Sequence, residues 1–248
     1  MADMLADDIC SEDRRHIVSA GIRNGRDAAL EDARVIAGLG AGVTTTAVLA
    51  TRGERLALRH SQYAVGHEQT DAYQVNLLEV VVVDTDERIS AVVTFDVDDF
   101  EAALAELDAR YLAGEAAAYP QVWSAITEGY AALNRHEAPQ VTPDFQDVDH
   151  RHGVAFMSGD LFPYIHAAWD VSPDLKTHIE TVHRLNKLGA VITQTAHGSS
   201  EEGFDAEWRQ IVVFTVDGDA VNRCEMYDEA DLDAALARFD QLTQQPPT

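Results

Sequence analysis

The sequence is poor in cysteine and in long apolar runs. Its 248 residues include only two cysteines, Cys10 and Cys224, and their wide separation predicts neither a disulfide framework nor a thiolate zinc site. No run approaches the roughly 18 apolar residues of a membrane span, and the N-terminus lacks the basic and apolar segments of a secretory leader. These absences predict a cytoplasmic protein with no membrane partner.

Positive charge is also scarce. Lys and Arg number 18 against 43 Asp and Glu, which gives a formal net charge of -25. Such a charge repels the phosphates of nucleic acids, so nucleic acid is not expected as a partner. The sequence contains no P-loop, no Gly-x-Gly-x-x-Gly and no Gly-x-Ser-x-Gly pattern, and nucleotide-binding and serine-hydrolase chemistry therefore lack support. No cofactor is expected.

What the chain does contain is a long internal repeat. The stretch "SAVVTFDVDDFEAALAELD" (90–108) aligns with "NRCEMYDEADLDAALARFD" (222–240). A strand and an acidic turn precede each stretch, and farther upstream both halves repeat a hairpin, a helix and a short strand. The pattern predicts an α+β fold of two units, each with a strand, a helix, four antiparallel strands and a final helix.

The segment "GEAAAYP" (114–120) marks the boundary between the units, which gives a first unit over 1–116 and a second over 117–248. The second unit begins with an amphipathic helix in "YPQVWSAITEGYAALNRHE", whereas the first begins almost at its first strand and lacks this helix. A missing helix leaves an apolar face of the first unit uncovered, so the second unit or another chain must cover it. We therefore expect a homodimer.

A helix on a bent antiparallel sheet, repeated and closing on the hairpin "VFTVDGDAVNRCEMYD", resembles the NTF2-like or SnoaL-like superfamily, whose sheet curls into a cone around a pocket. Asp13-Arg14-Arg15 and Asp149-His150-Arg151, at the ends of the two first strands, support the resemblance. The chain is also similar to tandem modules at the ends of large actinobacterial regulators, which implies a parent multidomain protein. The superfamily includes epoxide hydrolases, isomerases, cyclases and non-catalytic binding domains, so the resemblance implies a fold but no single activity.

The two copies differ on one face of the last strand, which we expect to point into the cone. In the first copy this face holds Ile89, Ala91, Val93 and Phe95, and in the second it holds Val221, Arg223, Glu225 and Tyr227. Charges buried in an apolar cone need partners or a function. The difference predicts Glu225 as a base or water activator that Arg223 orients. The alternative is a structural ion pair at the cone mouth or at an interface.

Other polar residues alternate along the middle strands of the second unit. His178 and Glu180 are in phase on one strand, and His197 and Arg209 end up near them if the register brings their faces together. An imidazole, a carboxylate and an arginine in one cavity suit acid/base chemistry, so His197 or His178 is predicted as the acid, with Glu180 and Arg209 binding substrate. Alternatively, His197 is a solvated strand end, and His178 and Glu180 lie on the outer face of the sheet.

The resemblance to epoxide hydrolases implies two acids that bracket an arginine. Glu225 matches the acid of the last strand, but His197 and Thr195 stand where the second acid and the arginine are expected, so this activity is not predicted. Four aromatic residues are predicted as pocket walls, namely Trp169, Phe156, Trp208 and Tyr227.

The histidines leave a metal site open as an alternative. His150 and His152 share a strand face and could bind zinc together with His178 or Glu180, although a His-x-His pair is a weak motif. The segment Asp149-His150-Arg151 also suits a structural network, because its counterpart in the first copy is similar. We predict a site without metal.

The combined prediction is that the second cone binds a small, largely apolar organic molecule and carries out metal-free acid/base chemistry, either hydrolysis or isomerisation and cyclisation. The alternative is a non-catalytic module of a larger regulatory protein that senses a ligand or dimerises, with the charged face as an interface.

Overall fold

A computed structural model describes residues 2–17, 20–65, 73–153, 156–199 and 205–244. The chain forms two compact units, Met1–Ala113 and Gly114–Thr248. The prediction of an α+β fold with two sheet-and-helix units is confirmed. Within the described ranges, the helices are all too short or too polar to cross a membrane.

The first unit is a mixed sheet with two α-helices in its described part. A 3₁₀ turn at Ala2–Met4 is followed by β1 Leu5–Asp13, β2 Gly21–Asn24, α1 Arg26–Gly38, β3 Gly42–Arg52, β4 Leu56–Val65, β5 Tyr73–Val83, β6 Ile89–Asp96 and α2 Phe100–Ala113. The strand order is β2-β1-β6-β5-β4-β3. Strand β1 runs parallel to β6, and the other neighbours are antiparallel. The short strand β2 is an addition to the predicted pattern.

The second unit repeats this plan and adds a leading helix. Its elements are α3 Pro120–Asn134, β7 Val141–Asp149, α4 Leu161–Val171, β8 Lys176–Asn186, β9 Gly189–Ser199, β10 Asp205–Asp217, β11 Ala220–Asp228, a 3₁₀ turn at Glu229–Asp231 and α5 Leu232–Gln244. The sheet order is β8-β9-β10-β11-β7, with β7 parallel to β11. Strand β7 tolerates Pro143 because it lies at the edge of this sheet.

Helix α5 covers one face of the second sheet. Its Ala235 and Phe239 are fully buried and pack against Val191 of β9, Ile211 and Val213 of β10 and Tyr227 of β11. Leu232, Leu236 and Leu242 extend this cluster. The apolar stripe of α5 therefore forms a core, which fixes the face of each strand that lies under this helix.

Helix α2 occupies the corresponding place in the first unit, against β3, β4, β5 and β6. Its Leu107 is fully buried, as are Leu58 and Val80 in the strands. Arg52, at the end of β3, is 1% exposed, and its Nε lies 2.6 Å from Asp108 Oδ1 of α2. A buried ion pair of this kind ties the helix to the sheet edge, since either charge alone would lie unpaired in the core.

The turn between β8 and β9 requires a glycine. A Cβ at Gly189 would lie 1.9 Å from the carbonyl oxygen of Phe214 on β10. We predict that Gly189→Ala lowers the free energy of unfolding by about 3 kcal/mol, because the backbone of β10 must move to accept the methyl group.

Gly38→Ala is the matched control, since a Cβ there meets no atom within 4 Å. It should change the free energy of unfolding by less than about 1 kcal/mol. Urea unfolding followed by circular dichroism compares the two variants. Equal midpoints would contradict the predicted clash.

Candidate ligand-binding site

The second unit contains a cavity of about 480 Å³. Helices α3 and α4 form one side of it, and strands β8 to β11 form the other. Most of the lining is apolar or aromatic, including Ile126, Leu133, Phe162, Ile165, Trp169 and Trp208. The volume falls within the range of about 300 to 1,000 Å³ that is usual for small-molecule sites.

Strand alternation decides which side chains reach the cavity. On β10, the lining residues Trp208, Gln210, Val212 and Phe214 are every second residue. On β9 they are Gln194 and Ala196, and on β11 they are Cys224 and Met226. Their odd-numbered neighbours point to the opposite face, the one that α5 covers.

The prediction that Arg223, Glu225 and Tyr227 face the cavity is wrong. Tyr227 packs in the core beneath α5, and Glu225 lies on the same face of β11. Both faces of β11 are buried here, so its alternation in sequence identifies two sets of residues without showing which set meets the cavity. A register irregularity after Val221 turns that residue to the cavity face, away from the set to which the sequence assigns it.

Glu225 is fully buried and is the centre of an ion-pair network. Arg238 of α5 donates to both carboxylate oxygens, at 3.0 to 3.2 Å, and Arg223 Nη1 donates to Oε1 at 2.9 Å. His150 Nε2 and the Tyr227 hydroxyl lie 3.0 and 3.1 Å from Oε2. The network joins α5 to β11 and to the end of β7. It is a structural ion pair, as in the alternative interpretation, but it lies beneath a helix and not at the cone mouth or an interface.

The environment of Glu225 sets its protonation. Burial alone would raise the pKa of Glu225, but the hydrogen bonds from Arg238 and His150 and the charge of Arg238 lower it to about 2. Glu225 is therefore a carboxylate at neutral pH with its oxygens already bonded by protein donors. Such a group serves to hold the helix on the sheet.

The polar residues of the middle strands do come together, but on the face opposite the cavity. Arg209 Nε donates to Glu180 Oε2 at 2.8 Å, and the Thr195 hydroxyl donates to the same oxygen. The rings of His178 and His197 lie 6.3 Å apart, and His197 is exposed at its strand end. Other residues of these strands line the cavity. His178, Glu180, His197 and Arg209 therefore do not have the roles in the cavity that the sequence predicts.

The four predicted aromatic walls have different positions. Trp169 and Trp208 line the cavity. Phe156 stacks on Tyr164, a lining residue, with ring centroids 5.3 Å apart. Tyr227 lies on the other face of the sheet.

Arg151 has contacts beyond the structural network to which the sequence assigns it. Its side chain lines the cavity, and its Nε and Nη2 donate to Asp149 Oδ1 and Oδ2, both at 2.9 Å. Its Nη1 donates to Gln210 Oε1 at 2.7 Å, and the guanidinium lies over the Tyr164 ring at 5.8 Å. The hydrogen bonds to Asp149 raise the pKa of Arg151, so it stays charged. The sequence feature that points to Arg151 is a repeated Asp-x-Arg pattern. Asp13 and Arg15 form the same paired bonds in the first unit.

The zinc set left open as an alternative, His150 and His152 with His178 or Glu180, does not assemble among the described residues. His150 bonds to Glu225, whereas the ring of His152 bonds to Asp228 at 2.9 Å in a separate exposed contact. The main-chain N–H of His152 also donates to Asp228, and the equivalent His16 N–H donates to Asp96, each at 2.9 Å. These repeated contacts hold the segment after the first strand of each unit against the end of its last strand.

The first unit carries an ion pair on the face that corresponds to the cavity side. Glu79 of β5 is 6% exposed, and Arg59 Nε of β4 donates to it at 3.0 Å. Both alternate with Leu58 and Val80, which are buried on the α2 side. The matching positions in the second unit are Val212 and Ile192, so the first unit is the more polar at these two positions.

No protein-family model matches the sequence, and no curated protein matches it. Solved structures with a similar fold include a SnoaL-like polyketide cyclase from Jannaschia sp. (12% identity, TM-score 0.38) and AclR from Streptomyces galilaeus (14%, 0.36). TerC, co-crystallized with polyporic acid, has 14% identity and a TM-score of 0.36. These matches cover 96%, 93% and 98% of those chains but 52%, 47% and 49% of this one.

SnoaL-like and NTF2-like proteins are among the solved structures with a similar fold. The resemblance to modules of actinobacterial regulators and the homodimer stay predictions.

The Glu225 network predicts a defined dependence of stability on pH. Because the pKa of Glu225 falls from an ordinary value of 4.5 to about 2 on folding, its stabilisation is complete above pH 4.5 and is lost as the pH falls toward 2. Glu225→Gln should therefore lower the free energy of unfolding by about 3 kcal/mol at pH 7. The difference from the wild type should shrink between pH 4.5 and 2, as measured by chemical denaturation.

Glu207→Gln is the control, because Glu207 is exposed and pairs with Arg209 at 3.2 Å. Its effect should stay below about 1 kcal/mol at every pH. A loss for Glu225→Gln that does not change with pH would show that the carboxylate charge is not the stabilising element.

Proposed function

We propose that the second unit is a binding module that holds one small, largely apolar organic molecule in its cavity. The observation that carries this proposal is the lining, in which apolar and aromatic side chains surround a few polar groups. Burial of such a surface is the main source of affinity for an apolar ligand, and the polar groups orient it.

The titratable groups of the lining favour binding over acid/base chemistry. Among the described lining residues these groups are Arg151, Tyr130, Tyr164 and Cys224, without a carboxylate or an imidazole. Burial raises the pKa of the Cys224 thiol well above its usual range, so the thiol stays protonated. A general base must lie within hydrogen-bond reach of the proton that it removes, and Glu225 lies on the opposite face of the sheet.

The composition of the lining bears on both interpretations of the sequence. The ligand-sensing module, its alternative interpretation, fits the lining better than the acid/base enzyme does. Metal-free hydrolysis or isomerisation by the second cone stays a prediction, and it requires a base from outside the described lining.

Ligand binding can be tested through the tryptophans. Two of the three tryptophans, Trp169 and Trp208, line the cavity, so a bound aromatic ligand should quench their fluorescence and raise the melting temperature of the protein. At a ligand concentration of 100 times Kd the stabilisation should be about 2.7 kcal/mol. A panel of neutral aromatic compounds of two or three rings provides the probes.

Ala196→Phe places a ring in the cavity and should weaken binding at least about tenfold, since it takes the volume that the ligand fills. His197→Phe is the matched control, because His197 is the next residue on β9 and faces the other way. Fluorescence titration gives Kd for both variants. Equal losses in the two variants, or no binding of any compound by the wild type, would contradict the proposal.

A further inference from the structure

The polar end of the cavity specifies a chemical class of ligand, an inference that depends on the proposed function. We infer that the ligand is an uncharged molecule with a carbonyl-type oxygen that accepts hydrogen bonds from Arg151. Two properties of this end of the cavity lead to the inference, namely the direction of its hydrogen bonds and its charge.

The groups offered at this end are donors. A guanidinium has five N–H donors and no acceptor. Its bonds to Asp149 and Gln210 use three of these donors. At least one N–H of Arg151 therefore remains for a ligand in the cavity that this side chain lines.

The side chain of Gln210 also presents hydrogen-bond donors and not an acceptor. Because Arg151 can only donate, it fixes the amide orientation of Gln210 with Oε1 toward Arg151 and the NH₂ group pointing away. The nearest partner of this NH₂ group is the Met226 sulfur at 3.6 Å, which is a weak acceptor. Trp208, two residues earlier on the same face of β10, also lines the cavity, but it is 51% exposed, so its indole N–H can keep water as a partner and the selection rests on Arg151 and Gln210.

A ligand group with hydrogen-bond donors would leave these N–H groups unsatisfied once water is displaced. Leaving a buried donor without an acceptor costs about 1 to 3 kcal/mol. An oxygen acceptor on the ligand avoids this cost, and a hydrocarbon does not. The hydrogen-bond pattern therefore selects for an acceptor.

Charge distinguishes a carbonyl oxygen from a carboxylate. The side chain of Asp149 is completely buried and forms two parallel bonds with Arg151, so the pair is neutral as a unit. The chain as a whole has a formal charge of -25. A carboxylate would give up its hydration without meeting net positive charge, whereas a carbonyl oxygen is uncharged and loses less on desolvation.

The test compares four compounds that share a naphthalene ring. They are 2-acetonaphthone, its hydrocarbon isostere 2-isopropenylnaphthalene, 2-naphthoate and the ammonium compound 1-(2-naphthyl)ethylamine. Kd is measured for each by tryptophan fluorescence and calorimetry on the full chain. We expect the ketone to bind about tenfold more tightly than the hydrocarbon isostere, as one net hydrogen bond allows, and more tightly than either ion.

The outcomes separate this inference from the proposed function. Equal binding of the ketone and its isostere, or tightest binding of the carboxylate or the ammonium compound, overturns the inference and leaves the binding module in place. Failure of all four compounds, and of the wider aromatic panel, overturns the proposed function itself.

Variants assign the effect to Arg151. Arg151→Met should remove the preference for the ketone and leave the Kd of the hydrocarbon within about twofold, since the hydrocarbon makes no hydrogen bond. Arg209→Met is the matched control on the opposite face of β10 and should keep the preference. If Arg151→Met does not fold by circular dichroism, Arg151→Lys replaces it, and the comparison of the four compounds on the wild type still decides the inference.

Discussion

The packing of α5 against β9, β10 and β11 is the constraint on which the site depends. Phe239 and Ala235 bury the odd-numbered side of these strands, which commits the even-numbered side to the cavity. The carboxylate of Glu225 strengthens this arrangement from within the sheet, because it binds Arg238 of the same helix. The charges that seem out of place in the last strand therefore belong to the attachment of a helix, and the cavity behind them is left to apolar and aromatic residues.

Much of the fold could be predicted from the sequence, because it repeats. Two copies of a strand, helix, four-strand and helix pattern identify the elements twice, and the amphipathic segment before β7 is visible as an extra helix, α3. Period-two alternation also sorted most of the strand residues into the correct sets, with Val221 as an exception beside a register irregularity. His178 and Glu180 do share surroundings with His197 and Arg209, as their phases indicated.

The side of the sheet on which each set lies could not be predicted. Both faces of β11 are buried, one under α5 and one in the cavity, so hydrophobicity does not distinguish them. The comparison of copies added to the difficulty, since Ala91 and Val93 are buried apolar residues, and burial alone does not show whether a strand face meets a helix or a cavity. Arg151 was underestimated for a related reason. Its bonds with Asp149 recur in the first unit as Arg15 with Asp13, and this recurring structural contact does not indicate that the Arg151 side chain also lines the cavity.

The even and odd division of β9 to β11 has a consequence for how this protein can change. Residues such as Ala196, Gln210 and Val212 can be exchanged without touching the helix core, and residues such as Ile211 and Phe239 can be optimised without touching the cavity. The residues that line the cavity and the residues that pack under α5 thus alternate along the same strands. A chain built in this way can acquire a new ligand through a few substitutions while its scaffold stays intact, and a laboratory library confined to the even positions should sample binding properties at little risk to the fold.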